Sequence, residues 1–451
     1  MMPKAMRSRD IVNADPEQCQ SGNITGIHPS RVYQKVRSEA LAKNDRAIND
    51  LDDLTEELKY EQSIGRKFIQ KIDLYPFSTI LINEDNMKIL KNELQSKRVI
   101  YINIDATGGI LRKVSEAPLL HHTLILPVKA NDANRSHVLI NLGELITVDS
   151  CSFNIEYFLR FYKNKFLNIT KENRMAQIFV TDKSFANINA IINSQNNMTL
   201  REYLDTTYQI CIGNRNIEHL TLAMLCSSHI TKNWKDEIKK HFQHLNKEEF
   251  FFICSLIGHS MTIEIYDDLA NFLKLIIRLF CTPKKNLDYQ SILNQIHHTL
   301  AMNKDCNMTN EDEQQIDTDD DLSILSSKTI YQSSPFFKFF NDFATQLIDE
   351  QFFQDESDDN PFYSTIFVKE FMKKSISLIP LWSASLPKLL LMHETYRRAN
   401  NGYIEGYFGN LKSSLRSNTT IGKLGSIKIG RYIRFIKEKN KIDFQKRLNL
   451  K

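Results

Sequence analysis

Two aspartates stand at the ends of apolar runs that are typical of buried strands. Asp105 closes the run VIYINID and precedes Ala-Thr-Gly-Gly, and Asp182 closes QIFVTD shortly before a helical pattern. Because carboxylates at the ends of neighbouring strands can share one cation, this pair predicts a metal site. Each aspartate alone could equally be a helix cap or a turn residue.

A third carboxylate, Glu405, begins a segment in which Ile404, Phe408 and Leu411 recur at helical spacing. A helix could bring Glu405 to the strand ends that carry the two aspartates, and Glu394 is the alternative acid if it does not. Phosphodiester cleavage uses such a group because two cations activate the attacking oxygen and neutralise the leaving one. The site is therefore predicted to hold two Mg²⁺ ions, with Mn²⁺ as a substitute.

The elements that must position these acids follow from the hydrophobic pattern. Residues 98–148 carry β-branched and aliphatic runs separated by Gly, Pro and an Asn-Asp pair, which predicts three or more strands. A helical pattern over 154–166, a short apolar strand over 177–181 and a helix from Ser184 follow. This order predicts an α/β fold, a mixed sheet flanked by helices.

Composition and pattern divide the whole chain into six parts. They are a disordered leader (1–30), an N-terminal helical region (31–97), the first part of the core (98–198), a helical insertion with an acidic loop near 310–321 (199–390), a core-completing helix with Glu405 (391–415) and a basic C-terminal tail (416–451). The acidic loop lacks the glycine and terminal glutamate of an EF-hand, so calcium binding is not expected there.

Composition excludes several classes of protein. Hydrophobic residues make up 42% and charged residues 25% of the 451 residues, as in soluble globular proteins. No apolar run is long enough to cross a bilayer, and no secretory signal is visible, so an intracellular protein is expected. Seven widely spaced cysteines favour free thiols, and no zinc-finger spacing occurs. The net charge of +4 is too small to indicate nucleic-acid binding by itself.

Four segments of the chain resemble a known family. In order, YINIDATGGILRKV, QIFVTDKSFANINAI, CSSHITK and NGYIEGYFGNLKSS resemble the blocks of Mutator-like (MULE) Asp-Asp-Glu transposases, over roughly residues 75–415. The resemblance implies an RNase H-like core, a large helical insertion between the second Asp and the Glu, and strand transfer with divalent metal. It assigns catalytic metal binding to Asp105, Asp182 and Glu405.

Cys226 and His229 match the Cys-x-x-His of that family. A packed cysteine, with His229 contacting the acidic centre or the scissile phosphate, is preferred to a structural zinc site, which needs two more ligands. Lys232 and Lys235 either contact DNA or are solvated. Lys412 and Arg416, at the start of the basic tail, are further candidates for phosphate contact.

Other reactive side chains carry only a structural interpretation. No nucleophile elbow and no phosphate-binding glycine motif occurs in the sequence. His121, His122, His259 and the pair at 297–298 are expected to be core or satisfied polar side chains. The Phe-rich clusters at 250–252 and 336–340 are likewise interpreted as core.

Three functions follow from these observations. The first is a nuclear transposase that cuts double-stranded DNA at transposon ends and joins it to a target, with a homodimer allowed. The localisation would be only intracellular if nuclear entry is lost. The second is a domesticated derivative that binds DNA or protein without cleaving it. This alternative is kept because no zinc-binding N-terminal module is visible in the sequence. The third is a nuclease for structured RNA on the same fold.

Overall fold

The computed structural model describes residues 50–65, 67–96, 98–111, 118–129, 137–172, 174–302, 331–349, 358–391, 399–418 and 429–448. These residues form a mixed sheet flanked by helices, so the predicted α/β class is confirmed. The sheet has seven strands. They are β1 (Ile69–Leu74), β2 (Phe77–Ile82), β3 (Tyr101–Thr107), β4 (Leu120–Lys129), β5 (His137–Thr147), β6 (Ile178–Thr181) and β7 (Leu222–Leu225).

The strands lie in the order β1-β2-β5-β4-β3-β6-β7. From β1 to β3 all neighbours are antiparallel, whereas β3, β6 and β7 run parallel. Every residue of β6 (IFVT) and β7 (LAML) is buried, as expected for parallel strands that are covered on both faces. The carboxyl ends of β3, β6 and β7 therefore meet at one edge of the sheet.

Helices precede, interrupt and follow the strands. They are α1 (Asp50–Ser63), α2 (Glu84–Gln95), α3 (Ser152–Thr170), α4 (Phe185–Asn196), α5 (Leu200–Cys211), α6 (Ser227–His241), α7 (Lys247–Ser260), α8 (Tyr266–Cys281), α9 (Leu287–Met302), α10 (Pro335–Asp349), α11 (Thr365–Lys374), a 3₁₀ helix (Ile376–Leu381), α12 (Ser385–Leu391), α13 (Gly402–Asn418) and α14 (Ile429–Leu448). No helix in the described ranges combines the length and apolarity that crossing a membrane requires.

Two apolar layers cover the two faces of the sheet. The larger layer contains Ile102, Ile104 and Leu124 from the strands and the apolar sides of α2, α3 and α4. It continues without a break into α6, α7, α8 and α11, so the helical unit shares a core with the sheet. The smaller layer packs Leu81 and Ile146 against α1, α13 and α14.

The N-terminal region 31–97 differs from the prediction. It contains the expected helices, α1 and α2, but also strands β1 and β2, which were not predicted. Apolar runs of about six residues are compatible with either element, and here pairing of β2 with β5 selects the strand. The leader 1–30 lies outside the described residues.

The described residues of the region 199–390 form helices and one strand, β7, which was expected to be part of a helix. The run LAML is continuous and apolar, and periodicity alone cannot separate a buried strand from a buried helix. This run forms a strand because it pairs in parallel with β6, from Ile178 with Leu222 to Thr181 with Leu225. The acidic loop near 310–321 lies outside the described residues.

The basic segment 416–451 is more than a solvated tail. It contains α14, on which Ile429, Tyr432, Ile433 and Ile436 are buried in the smaller apolar layer. Lys437 of the same helix forms ion pairs with Glu57 and Glu61 of α1. The many lysines and arginines of this segment made its apolar residues at helical spacing difficult to recognise in the sequence.

Candidate metal centre

Asp105 and Asp182 lie side by side at the shared edge of the parallel strands. Asn103 of β3 pairs with Val180 of β6, and each aspartate follows two residues later. Asp182 comes directly after β6, whereas Asp105 lies inside β3, so the strand end predicted at Asp105 is instead at Thr107. Neighbouring strands are about 4.8 Å apart, so the two carboxylates face one small region of space. The predicted pairing of these acids is thus present in the fold.

The environment of Asp105 disfavours its negative charge. Burial, and then the charge of Asp182, raise the pKa of the Asp105 carboxyl group to about 8, and Glu405 adds to the effect. A hydrogen bond of 2.7 Å from the Ala106 backbone N–H and the charge of His229 act in the opposite direction. Without a metal ion the Asp105 carboxyl group is therefore mostly protonated at neutral pH, and a divalent cation at this place would favour its ionised form.

One oxygen of Asp182 is held by hydrogen bonds. Its Oδ1 atom accepts from the Ser184 backbone N–H, from the Asn187 side-chain amide and from the Thr181 hydroxyl, each at 3.2 Å. Asn187 lies in the first turn of α4 and is buried, and its amide also donates to the Thr181 hydroxyl at 3.1 Å. These contacts set the direction of the Asp182 carboxylate without using a charged partner.

Glu405 reaches the same edge from the first turn of α13. Its Oε1 atom lies 3.9 Å from His229 Nε2, and its side chain is 42% exposed, so solvent or substrate can contact it. The segment before α13 is tied to β3, because the Asn103 amide donates to the Asn400 carbonyl at 3.0 Å and to Asn401 Oδ1 at 3.1 Å. Asn103 is thus one link between the first and third acids.

Cys226 and His229 flank the start of α6, directly after β7. The Cys226 sulfur is buried and accepts the Asn401 backbone N–H at 3.3 Å, while the Ser227 backbone N–H donates to the Ala399 carbonyl at 2.8 Å. Interaction with this sulfur is the main cause that raises the pKa of His229 to about 9. His229 is therefore a cation at neutral pH beside the acidic edge.

The donor set suits a hard cation. Mg²⁺ is commonly held by one or two carboxylates, waters and substrate phosphate, and Asp105 and Asp182 supply such carboxylates. As the side chains lie, no three His, Cys, Asp or Glu residues of the described part of the chain are close enough together to form a metal-binding group. Glu405 faces His229, and the Cys226 sulfur contacts the Asn401 backbone N–H and, at 2.9 Å, the Ser228 hydroxyl.

The candidate DNA contacts are only partly gathered at this edge. Lys232 and Lys235 lie on α6 after His229, and Lys235 packs beside Cys254 of α7 and so faces the helical unit. Lys412 lies on α13, two turns after Glu405, and is half-buried. The side chain of Arg416, and the alternative acid Glu394, lie outside the described residues.

Three asparagines that orient the site were not identified from the sequence. Asn103, Asn187 and Asn401 are buried and bridge the elements that carry the acids. A polar residue inside the apolar run VIYINID was a usable signal for Asn103, because buried polar residues are rare. The contact of His229 with the acidic edge was expected only from the Cys-x-x-His resemblance, since it joins helices far apart in the chain.

No protein-family model matches this chain, and no curated protein is similar to it. The resemblance to Mutator-like transposases is therefore carried by the four motif segments alone. The geometry of the acids is independent of that resemblance, because it follows from strand pairing and from the docking of α13.

Proposed function

We propose that this protein is a transposase-like enzyme that cleaves double-stranded DNA and transfers strands with two divalent metal ions. The observation that carries the proposal is the pairing of Asp105 and Asp182 at one sheet edge, where burial and mutual repulsion raise the pKa of Asp105. Acids with perturbed pKa values that converge at the end of a sheet are typical of functional sites.

The strand order supports an RNase H-like core. Strands β5, β4 and β3 form an antiparallel meander, and β6 and β7 extend it in parallel beside β3. Asp105 lies on the first strand of the meander and Asp182 at the end of the next parallel strand. The helices from α6 to α12 lie between the second acid and Glu405, as a helical insertion requires.

In this proposal, Asp105, Asp182 and Glu405 hold Mg²⁺ or Mn²⁺. When bound, the metal ions activate the attacking water or 3′ hydroxyl and stabilise the leaving oxygen. The residues of the chain orient these ligands: Asn187 fixes Asp182, and Asn103 fixes the start of α13. His229 places a positive charge at the same edge. Its ring N–H can donate a hydrogen bond to a phosphate oxygen of the DNA.

The proposed substrates are transposon ends and target DNA in the nucleus, and two copies of the chain would bring two ends together. Lys232 and Lys412 lie on the two helices that carry His229 and Glu405, so they are the lysines best placed to follow the DNA backbone. Lys235 is a weaker candidate because it packs against α7. Phosphate contacts of this kind give affinity that falls as salt rises.

The test is nicking of a supercoiled plasmid in Mg²⁺ or Mn²⁺. We expect the wild-type chain to nick and Asp105→Asn and Asp182→Asn to reduce the rate about 100-fold or more, because each removes a ligand of the cation. Asp205→Asn, a change on the exposed surface of α5, is the matched control and should leave nicking unchanged.

Two outcomes of the same assay would support the other functions. A wild-type chain that binds DNA without nicking it, with the same affinity in Asp105→Asn, would indicate a domesticated binding protein. Faster cleavage of structured RNA or of an RNA–DNA hybrid than of duplex DNA would indicate the ribonuclease. Either result would contradict the proposed function.

A further inference from the structure

A buried polar cluster lies on the sheet face that α13 and α14 cover. Glu144 of β5 and His121 of β4 are each about 1% exposed, and Glu144 Oε2 lies 3.0 Å from His121 Nε2. The Tyr432 hydroxyl of α14 donates to Glu144 Oε2 at 2.8 Å, and the Tyr407 hydroxyl of α13 donates to Glu144 Oε1 at 3.4 Å. The Asn141 amide donates to Glu144 Oε1 and, at 2.8 Å, to the Tyr407 oxygen.

Glu144 is an anion inside an otherwise apolar layer. Burial alone would raise the pKa of its carboxyl group, but the charge and hydrogen bond of His121, with hydrogen bonds from Tyr432 and Asn141, lower it below the usual value. Removing a charge from water is unfavourable, and a buried ion pair often adds no net stability to a protein. Its best-supported use is to select one arrangement of the elements around it.

The cluster holds the helix that carries Glu405. Tyr407 follows Glu405 by two residues on α13, and with about 3.6 residues per turn the two side chains point in nearly opposite directions. Tyr407 is buried against the sheet, while Glu405 faces the acidic edge. Asn103 anchors the start of α13, and Tyr407 supplies a second anchor within two turns of it. Two anchors fix both the place of the helix and its rotation about its axis.

We propose that Tyr407 is a positioning residue for Glu405, held by the contacts of its hydroxyl with Asn141 and Glu144. The inference rests on the proposed function, since it assigns Tyr407 to the orientation of the third metal ligand. Tyr432 ties α14 to the same carboxylate, so Glu144 joins both C-terminal helices to β5. Partners that orient a ligand without touching the metal commonly change metal affinity when they are removed.

The experiment is calorimetric titration of the full-length protein with Mn²⁺, using Tyr407→Phe. This change removes one hydroxyl and keeps the ring, including its contact with Lys439, whose Nζ lies 4.6 Å from the ring centroid. We expect the affinity for Mn²⁺ to fall about tenfold. Tyr162→Phe is the matched control, because Tyr162 is equally buried on the opposite face and its hydroxyl has no partner in the described part of the chain.

A second measurement separates positioning from general loss of stability. We expect amide hydrogen exchange in 402–418 to be faster in Tyr407→Phe than in wild type, and exchange in α3, which carries Tyr162, to be unchanged. Equal Mn²⁺ affinities for Tyr407→Phe and the control, with binding by the wild type intact, would overturn the positioning role alone. A wild-type chain that does not bind Mn²⁺ would overturn the proposed function and this role with it.

Discussion

The Asp105 carboxyl group lies beside Asp182 of the next parallel strand, and burial together with the Asp182 charge raises its pKa to about 8. A chain optimised only for stability would not place two carboxylates side by side on neighbouring buried strands. The repulsion between the two carboxylates is offset if a cation lies between them, because the positive charge of the ion favours the ionised form of both.

The first prediction concerns the metal-free protein. An acid whose pKa is raised on folding costs stability as the pH rises from its usual value of 3.8 to its folded value of about 8. Asp105→Asn removes that cost, so the metal-free variant should be more stable than wild type above pH 8 by about 2 kcal/mol, allowing for the partial exposure of Asp105. Urea unfolding at several pH values measures this, and a less stable variant at pH 8 would contradict it.

The second prediction concerns added metal. Mg²⁺ that binds only the folded chain raises the free energy of unfolding, by about 2.7 kcal/mol when its concentration is 100 times the dissociation constant. Thermal unfolding should therefore shift upward with Mg²⁺ in the wild type and in Asp205→Asn, but not in Asp182→Asn. An equal shift in all three proteins would mean that the ion binds elsewhere.

The third prediction concerns His229. Interaction with the Cys226 sulfur raises its pKa from 6.5 to about 9, so its contribution to stability is complete below pH 6.5 and is lost as the pH rises through 9. His229→Gln should lower the free energy of unfolding at pH 6 by about 1–2 kcal/mol, since the side chain is partly exposed, and the difference should shrink by pH 10. His219→Gln, on the exposed surface, is the control. A difference that is constant with pH would show that charge is not the cause.

The core strands and the two aspartates could be predicted from the sequence because their signals are local. The run VIYINID and the short run QIFVT each contain most of a strand and have the acid directly after the apolar residues, although β3 continues two residues past Asp105 to Thr107. Glu405 was placed on a helix from the spacing of Ile404, Phe408 and Leu411, and all three are buried. The sheet that joins these segments was inferred only in outline.

What the sequence could not predict depends on distant contacts. The segment 222–225 forms a strand because it pairs with β6. Helix α14 packs in the fold because the apolar residues between its lysines are buried in the smaller apolar layer. The partners of Glu144 come from strands β4 and β5 and from both C-terminal helices, and no local pattern around His121 or Tyr432 indicates that they meet. His121, His122 and His259 are buried, in agreement with their structural interpretation.

The fourth prediction concerns the buried pair of Glu144 and His121. The pKa of Glu144 lies below its usual value of 4.5, so its contribution to stability is present above pH 4.5 and is lost as the pH falls through the folded pKa. Glu144→Gln leaves His121 without its anion and should lower the free energy of unfolding by about 3 kcal/mol at pH 7. The difference from wild type should narrow in acid.

The control for this pair is Glu84→Gln. Glu84 forms an ion pair with Lys165, but its side chain is 42% exposed, so the change should cost less than about 1 kcal/mol. Equal losses for the two variants in unfolding by urea would show that the Glu144 cluster is no stronger than a surface pair.

The most direct test of the central claim is the position of Mn²⁺ in crystals of the protein, located by its anomalous scattering. The account predicts Mn²⁺ density between the carboxylates of Asp105 and Asp182, with Glu405 turned from His229 toward the ion, and no such density in Asp105→Asn crystals. Mn²⁺ bound only at other places, with Asp105 and Asp182 free of metal at saturating concentration, would contradict it.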